Sequence, residues 1–322
     1  MADPEATPPA AFLDSEVLLR LEELESRLSD VQALVARTYE SLQEWPRLLT
    51  EVRNSPSYEA AYAADPLITV RIATYNAAEL LCHRALASLR RQTYENWSAL
   101  VVGDACSDDT AARIEDLGDS RIRFWNLPFR GPYPDDAKGR WYIAGTAPAN
   151  EALRAATGAW IAPLDHDDEW DDDHLEVLLY TAQKERAELA YGRIRVVNEE
   201  TGEQVDMGAW PPERGQFGFL GALYHAGLAR FEYDINARFA DEPGDWNLAR
   251  HLWESGVRFS FVDRPVATNY FVKRHDCLRT EARMIEELRG WVRELEEALQ
   301  YSQSSEEHLR SELERIRQAP SA

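Results

Sequence analysis

The stretch LITVRIATYN (residues 67–76) is the part of the sequence that predicts the fold most directly. Its first seven residues are a β-rich run that indicates a strand, and the amphipathic stretch from Ala77 to Arg91 indicates a helix. The alternation continues, with strands predicted at 98–104, 121–127 and 159–165 and a helix at 147–156. This order predicts an α/β fold with a mostly parallel sheet and helices on both faces.

Polar residues follow three of these predicted strands. They are Thr74-Tyr75-Asn76 after the first strand, Asp104 at the end of the second, and Asp165-His166-Asp167 after the fourth. In open α/β sheets, ligands bind beyond the carboxyl ends of the strands. The sequence therefore predicts a ligand site at this edge of the sheet.

The Asp165-x-Asp167 pair has a spacing that suits a hard divalent cation. Residues two apart point the same way while the chain is extended, and Mg²⁺ takes one or two carboxylates together with substrate phosphates. A cation would also allow so acidic a protein to bind a diphosphate. The following acids 171–173 fit equally well as the first turn of a helix, where the helix dipole favours acids. That alternative does not account for Asp165.

Composition and missing motifs exclude several classes of protein. With 35 Lys and Arg against 57 Asp and Glu, the net charge is −22, which disfavours a nucleic-acid binder. No apolar run is long enough for a membrane span, the N-terminus lacks the features of a signal peptide, and three cysteines suggest a reducing compartment, so we expect a cytoplasmic protein. Dinucleotide-binding, P-loop and nucleophile-elbow motifs are absent from the sequence.

Apolar residues recur with heptad spacing near both ends, from Asp14 to Leu42 and from Leu278 to Ile316. We expect coiled-coil-like helices there. The predicted organisation is a disordered tail at 1–12, a helical extension at 13–60, an α/β domain at 66–275 and a C-terminal helix at 277–318. The pattern suits packing on the domain itself as well as a homodimer, and it leaves open whether the helices pair within one chain or between two.

The ordered set of motifs resembles family 2 glycosyltransferases of the GT-A fold. The resemblance covers residues 66–275 and depends on the order and spacing of the whole set: VRIATYN (70–76), ASL (87–89) to QTY (92–94), VVGDACSDDT (101–110), Asn150, Gly158 and LDHDD (164–168). It implies a Rossmann-like sheet and a site for a nucleotide-diphosphate sugar.

The resemblance also implies roles for individual residues. Asp104 would contact the nucleobase, Asp165 the ribose or the metal's water shell, and Asp167 the metal. The full set for the nucleotide sugar is Thr74, Tyr75, Asn76, Asp104, Arg140, Asn150, Asp165 and His166, although the His166 side chain should point away from the acids beside it. Downstream, DEPGDWNL (241–248) resembles the element that carries the catalytic base, which implies Asp245, and His275 would complete the metal shell.

Four positions depart from the family pattern. Gly103 replaces the first acid of the nucleobase motif, and Ala149 replaces an arginine for which Arg140 is a substitute. Gly244 replaces the acid before the predicted base, which leaves Glu242 as a rival to Asp245. Arg71 lies inside an apolar strand, either as a ligand-facing cation or as the buried partner of an acid.

The function implied is a metal-dependent, inverting transfer of sugar from a UDP- or dTDP-type donor, with Mg²⁺ or Mn²⁺ as the cofactor. The acceptor is not identified by the sequence and could be a glycan, a lipid carrier, a peptide or a small molecule. Two alternatives stay open. One is a nucleotidyltransferase on the same fold, and the other is a catalytically weak scaffold that binds nucleotide sugars and assembles through its terminal helices.

Overall fold

A computed structural model describes residues 44–271. Within this range, residues 44–197 and 203–270 belong to one compact unit, and residues 198–202 together with Phe271 belong to a second. The predictions for the tail at 1–12, the heptads at 14–42, His275 and the helix at 277–318 fall outside the described residues. No helix among residues 44–271 is both long enough and apolar enough to cross a membrane.

A nine-stranded sheet forms the centre of the fold. Its strands are β1 (Ile68–Thr74), β2 (Trp97–Gly103), β3 (Ile122–Asn126), β4 (Trp160–Pro163), β5 (Glu169–Trp170), β6 (Leu189–Asn198), β7 (Gln204–Met207), β8 (Ala222–His225) and β9 (Phe259–Phe271). The order is β3-β2-β1-β4-β8-β6-β9-β5, with β7 paired to β6. The four strands predicted from the sequence are confirmed as β1 to β4, and they are parallel to one another.

The predicted mostly parallel sheet is wrong for the second half of the chain. There β8 runs antiparallel to β4 and to β6, β7 is antiparallel to β6, and β5 is antiparallel to β9. The physical reason is the length of the connections: β6 and β7 are joined by a short turn, which suits only an antiparallel pair, whereas parallel neighbours need a crossover helix. The sheet is therefore mixed.

Helices cover both faces of this sheet, as predicted. They are α1 (residues 44–53), α2 (Ala78–Leu80, a π-helical Leu81–Ala85 and Leu86–Arg90), α3 (Thr110–Asp116), α4 (Ala137–Ile143), α5 (Thr146–Ala155), α6 (His174–Glu185) and α7 (Gly244–Glu254). Helices α2 and α6 pack in one apolar cluster with Ile68, Val70 and Ile72 of β1. Helices α5 and α7 pack in a second cluster, which contains Ala73 of β1 and Ile161 of β4. The side-chain alternation of β1 thus divides the two layers.

The described end of the predicted helical extension packs on this unit. Leu49 and Val52 of α1 are buried, and the Trp45 ring centroid lies 4.7 Å from that of Phe231. The buried Glu188 carboxylate, directly before β6, holds α1 in place, because it accepts hydrogen bonds from Arg53 Nε at 2.6 Å and Arg53 Nη2 at 2.7 Å.

We expect Glu188→Gln to destabilise the protein by about 3 kcal/mol, because removing one partner of a buried ion pair leaves the other charge unpaired. The value is at the low end for buried pairs since the Arg53 side chain is 33% exposed. Urea unfolding measures the change. Glu51→Gln, which affects only an exposed pair with Arg230 at 3.5 Å, is the control and should change the free energy of unfolding little. Equal stability of the two variants would contradict the role given to Glu188.

Candidate active site

The carboxyl ends of β1, β2 and β4 bring the three predicted polar clusters to one edge of the sheet. Thr74 of β1 pairs with Gly103 of β2, and Arg71 of β1 pairs with Pro163 of β4. The residues that follow these strands therefore start from adjacent positions. The sequence motifs and the strand register thus agree on the location of the candidate site, and we call the region around Tyr75, Asp104 and Asp165 at this edge the cleft.

Asp165 lies at this edge beside a buried cation. Its Oδ1 atom is 3.6 Å from Arg71 Nη1, and its side chain is 46% exposed while that of Arg71 is 5% exposed. Partial desolvation by the surrounding protein raises the pKa of Asp165, Arg71 opposes the rise, and the neighbouring Asp167 adds to it. The carboxylate faces the cleft on one side and a fixed positive charge on the other.

Asp168 fixes the acidic segment to β9. It is buried, and it accepts hydrogen bonds from Asn269 Nδ2 at 2.9 and 3.0 Å and from the Tyr270 backbone N–H at 3.0 Å. Burial, followed by the charges of Asp165 and Asp167, raises its pKa well above the ordinary value. Asp168 is not among the residues that the sequence predicts for the site, because its partners belong to a strand about a hundred residues further along the chain.

The donor set at this edge fits a hard divalent cation that is completed by substrate. Asp165 and Asp167 offer carboxylate oxygens, and their mutual repulsion is of the kind that a cation relieves. Among residues 44–271 there is no group of three or more His, Cys, Asp or Glu side chains that could hold a metal alone. A cation of the Mg²⁺ type needs only one or two carboxylates when phosphates and water supply the rest.

Asp245 is a further acid of the candidate site, and the charge of Asp165 acts on it. It lies in the first turn of α7, and its Oδ2 accepts a hydrogen bond from the Phe219 backbone N–H at 3.1 Å. Burial and the charge of Asp165 raise the pKa of Asp245 to about 6, against the opposing effects of Arg71 and the Phe219 N–H. Such an acid is ionised near neutral pH and can still accept a proton readily.

Glu242, the rival predicted base, is bound in an ion pair. Its carboxylate accepts hydrogen bonds from Arg250 Nε and Nη2, both at 2.9 Å, and from Asn247 Nδ2 at 2.7 Å. Although burial opposes the shift, Arg250 and Asn247 lower the pKa of Glu242. A carboxylate with stabilised charge is a poor proton acceptor.

Asp104 directly follows β2 and contacts the loop that follows β3. It is buried, its Oδ1 accepts a hydrogen bond from the Gly131 backbone N–H at 2.9 Å, and its Oδ2 is 3.7 Å from Arg130 Nε. The Arg130 guanidinium carbon lies 3.6 Å from the centroid of the Tyr75 ring. Arg130 thus joins Asp104, which is predicted to contact the nucleobase, to Tyr75, which is predicted to bind the nucleotide sugar. In the sequence, Arg130 is marked only as a basic residue in a Gly/Pro-rich loop.

The missing acid at Gly103 has a steric explanation. A Cβ atom at this position would lie 2.4 Å from Asn126 Oδ1. That oxygen is fixed, because it accepts a hydrogen bond from the Cys106 backbone N–H at 2.7 Å. The Asn126 side chain therefore occupies the space that a side chain at 103 would need.

Two other residues predicted for the nucleotide sugar form hydrogen bonds with the backbone of neighbouring loops. Asn150 of α5 bonds the backbone of Tyr233 twice, donating from Nδ2 to the carbonyl at 2.9 Å and accepting from the N–H at 3.0 Å. Arg140 is exposed and donates to the carbonyl oxygens of Pro134 and Asp135, at 3.1 and 2.6 Å. Both side chains shape loops next to the site.

The remaining predicted residues, Thr74, Asn76 and His166, lie at or near the end of β1, and Asn76 orders the turn that leads into α2. Asn76 adopts a left-handed backbone with φ of 45°, and its Oδ1 accepts the Ser107 N–H at 2.8 Å. The buried Thr74 hydroxyl has no hydrogen-bond partner within the described part of the chain. His166 Nδ1 is 3.2 Å from the carbonyl oxygen of Ala73.

Comparison with solved structures places this fold in the GT-A glycosyltransferase type. The chain resembles the crystal structure of S. aureus TarS 1-349 in complex with UDP-GlcNAc, with a TM-score of 0.51 and 16% identity over 64% of this chain and 59% of that chain. The family model described as Glycosyl transferase family 2 matches residues 69–133 and 146–237. The chain belongs to glycosyl transferase family 2, and the family predicted from the sequence is confirmed.

Several curated relatives are glycosyltransferases by name. The chain is 32% identical over 137 residues to the Escherichia coli UDP-Glc:alpha-D-GlcNAc-diphosphoundecaprenol beta-1,3-glucosyltransferase WfgD, covering 42% of this chain and 49% of WfgD. It is 26% identical over 225 residues to the Erwinia amylovora amylovoran biosynthesis glycosyltransferase AmsB, covering 65% of this chain and 71% of AmsB. The chain thus spans about half the length of WfgD.

Proposed function

We propose that the protein is a metal-dependent, inverting glycosyltransferase that uses a nucleotide-diphosphate sugar. One observation carries the proposal: burial and the charge of Asp165 raise the pKa of Asp245 to about 6, and Asp165 and Asp167 follow the end of β4. The cleft therefore combines a proton acceptor with the acids expected to hold the cation and its diphosphate. Inversion needs only one displacement, for which one general base suffices.

In this proposal each carboxylate has one task. Asp245 accepts the proton of the acceptor hydroxyl as the new glycosidic bond forms. Asp167 would hold Mg²⁺ or Mn²⁺, with His275 as a further predicted ligand, and the cation would supply charge stabilisation for the departing diphosphate. Asp165 orients the donor, and Asp168 keeps the segment 165–168 fixed on β9.

The nucleobase end of the donor would lie at Tyr75 and Asp104. Arg130 and the Gly131 N–H contact these two residues from the loop after β3. A bound base would either displace that loop or be covered by it. The acceptor side is assigned to the loop at 207–220, because Phe219 of this loop bonds Asp245 directly.

The relatives suggest which donor and acceptor to test first. WfgD and WfaP of Escherichia coli are both named for transfer from UDP-Glc to a GlcNAc-diphosphoundecaprenol. These names support a UDP-type donor and an acceptor sugar on a lipid diphosphate. A cytoplasmic location is part of the proposal and is supported by the free thiols of Cys82 and Cys106. A homodimer through the terminal helices stays a prediction.

The test is release of UDP from UDP-glucose by the full chain with Mn²⁺ and a lipid-diphosphate-linked GlcNAc acceptor, followed from pH 4.5 to 8. We expect transfer that requires the metal and that rises with pH through about 6, because Asp245 must lose its proton to act as a base. Chelation of the metal should abolish transfer. Metal-dependent donor binding without turnover would favour the scaffold, and pyrophosphate exchange with a nucleoside triphosphate would favour a nucleotidyltransferase.

A further inference from the structure

Arg71 is a charged residue in the interior of β1. All seven residues of this strand are buried, and Arg71 is 4% exposed. Burying an ionised guanidinium costs free energy unless nearby charges and hydrogen bonds compensate it. Its surroundings must therefore supply that compensation.

The groups that face Arg71 come from four separate segments of the chain. Its Nη2 donates a hydrogen bond to Tyr233 Oη at 2.7 Å, and its Nη1 is 3.6 Å from Asp165 Oδ1. Tyr224 of β8 and Asp245 of α7 also act on it electrostatically. Although burial opposes it, these groups raise the pKa of Arg71, so the guanidinium is charged at any working pH. Its Nε is buried and has no partner within residues 44–271.

Tyr233 connects Arg71 to the start of α7. The Tyr233 backbone is held by the Asn150 side chain, and a Cβ atom on Gly244 would lie 3.8 Å from Tyr233 Cδ1. Gly244 directly precedes Asp245. The Tyr233 ring also packs on Phe219, with centroids 5.6 Å apart, and the Phe219 N–H bonds Asp245. A contiguous set of contacts therefore runs from β1 to the predicted base.

We propose that Arg71 is a positioning residue for the transfer reaction, a buried cation that orients Asp165 directly and holds the start of α7, with Asp245, through Tyr233 and Phe219. The inference rests on the proposed function. The charge of Arg71 also lowers the pKa of Asp245, so the titration of this acid reports on Arg71. Arg71 is too buried to meet the substrate and acts through the two acids.

The first test compares Arg71→Met with Arg71→Lys in the pH profile of transfer. Loss of the charge should lower kcat about 10- to 100-fold with a smaller change in the donor KM, and should move the acid limb to higher pH by about one unit. Arg71→Lys should keep the acid limb in place. Arg123→Met, an exposed arginine on β3, removes the same charge and should leave the profile unchanged. An unshifted acid limb in Arg71→Met would overturn the inference.

A second measurement does not depend on activity. The Asp245 carboxyl carbon can be titrated by NMR in the wild type and in Arg71→Met, with Asp245→Asn to assign the signal. A shift to higher pH without detectable transfer would support the electrostatic role of Arg71 and count against the proposed function. Transfer without a shift would refute the role of Arg71 alone. If Arg71→Met fails to fold, Arg71→Gln removes the charge while keeping a donor for Tyr233, and its titration decides in the same way.

Discussion

Asp245→Asn is expected to lower the rate of sugar transfer by about 10²–10⁴-fold, the usual contribution of a general base. Asparagine preserves the size of the side chain and an oxygen for the Phe219 N–H, so the start of α7 should keep its conformation. It cannot accept the acceptor's proton. Transfer rates at saturating donor measure the effect, and donor binding measured by calorimetry should change little.

Glu242→Gln is the matched control for this variant. Because Glu242 is engaged by Arg250 and Asn247, its replacement should affect the stability of the protein more than the rate of transfer. If Glu242→Gln were inactive while Asp245→Asn retained transfer, the assignment of the two acids would have to be reversed.

Asp167→Asn is expected to remove metal-dependent use of the donor and to lower transfer on the order of 10²-fold or more. A divalent cation contributes several kcal/mol of charge stabilisation to a leaving diphosphate, and Asp167 is the residue proposed to hold it. We expect Mn²⁺ and UDP together to raise the melting temperature of the wild type but not that of the variant. Asn keeps the shape of Asp, so the Arg84 bond to the backbone carbonyl of residue 167 should persist.

Asp172→Asn is the control for charge in the same acidic segment. The Asp172 side chain is 64% exposed and pairs with Arg91 at the surface. Its replacement should leave the metal-dependent rise intact. A full Mn²⁺ and UDP effect in Asp167→Asn would contradict the proposed metal ligand.

The parallel half of the sheet could be predicted from the sequence because its signals are local. Each strand of this half is a short β-rich run, and the polar residues that follow β1, β2 and β4 mark the ligand-binding edge. The antiparallel half was not predictable in the same way. Its topology depends on which strand β8 joins, and the pairing of Trp160 with His225 is a long-range contact that no local pattern encodes.

The chemistry of single residues depended on contacts that are distant in sequence. Arg71 and Tyr233 are separated by 162 positions, and Asp168 and Tyr270 by 102. The sequence alone therefore left the role of Arg71 open. The choice between Asp245 and Glu242 was also open, although Arg250 lies only eight positions from Glu242, because only the structure shows which acid the arginine engages.

The most direct measurement of the central claim is the pH dependence of metal-dependent sugar transfer in the wild type and in Asp245→Asn. The proposed function predicts a wild-type rate that rises through about pH 6 as Asp245 loses its proton, and a variant whose residual rate is lower by at least about 10²-fold and has no such rise. Equal rates and the same pH profile in the two proteins would contradict it.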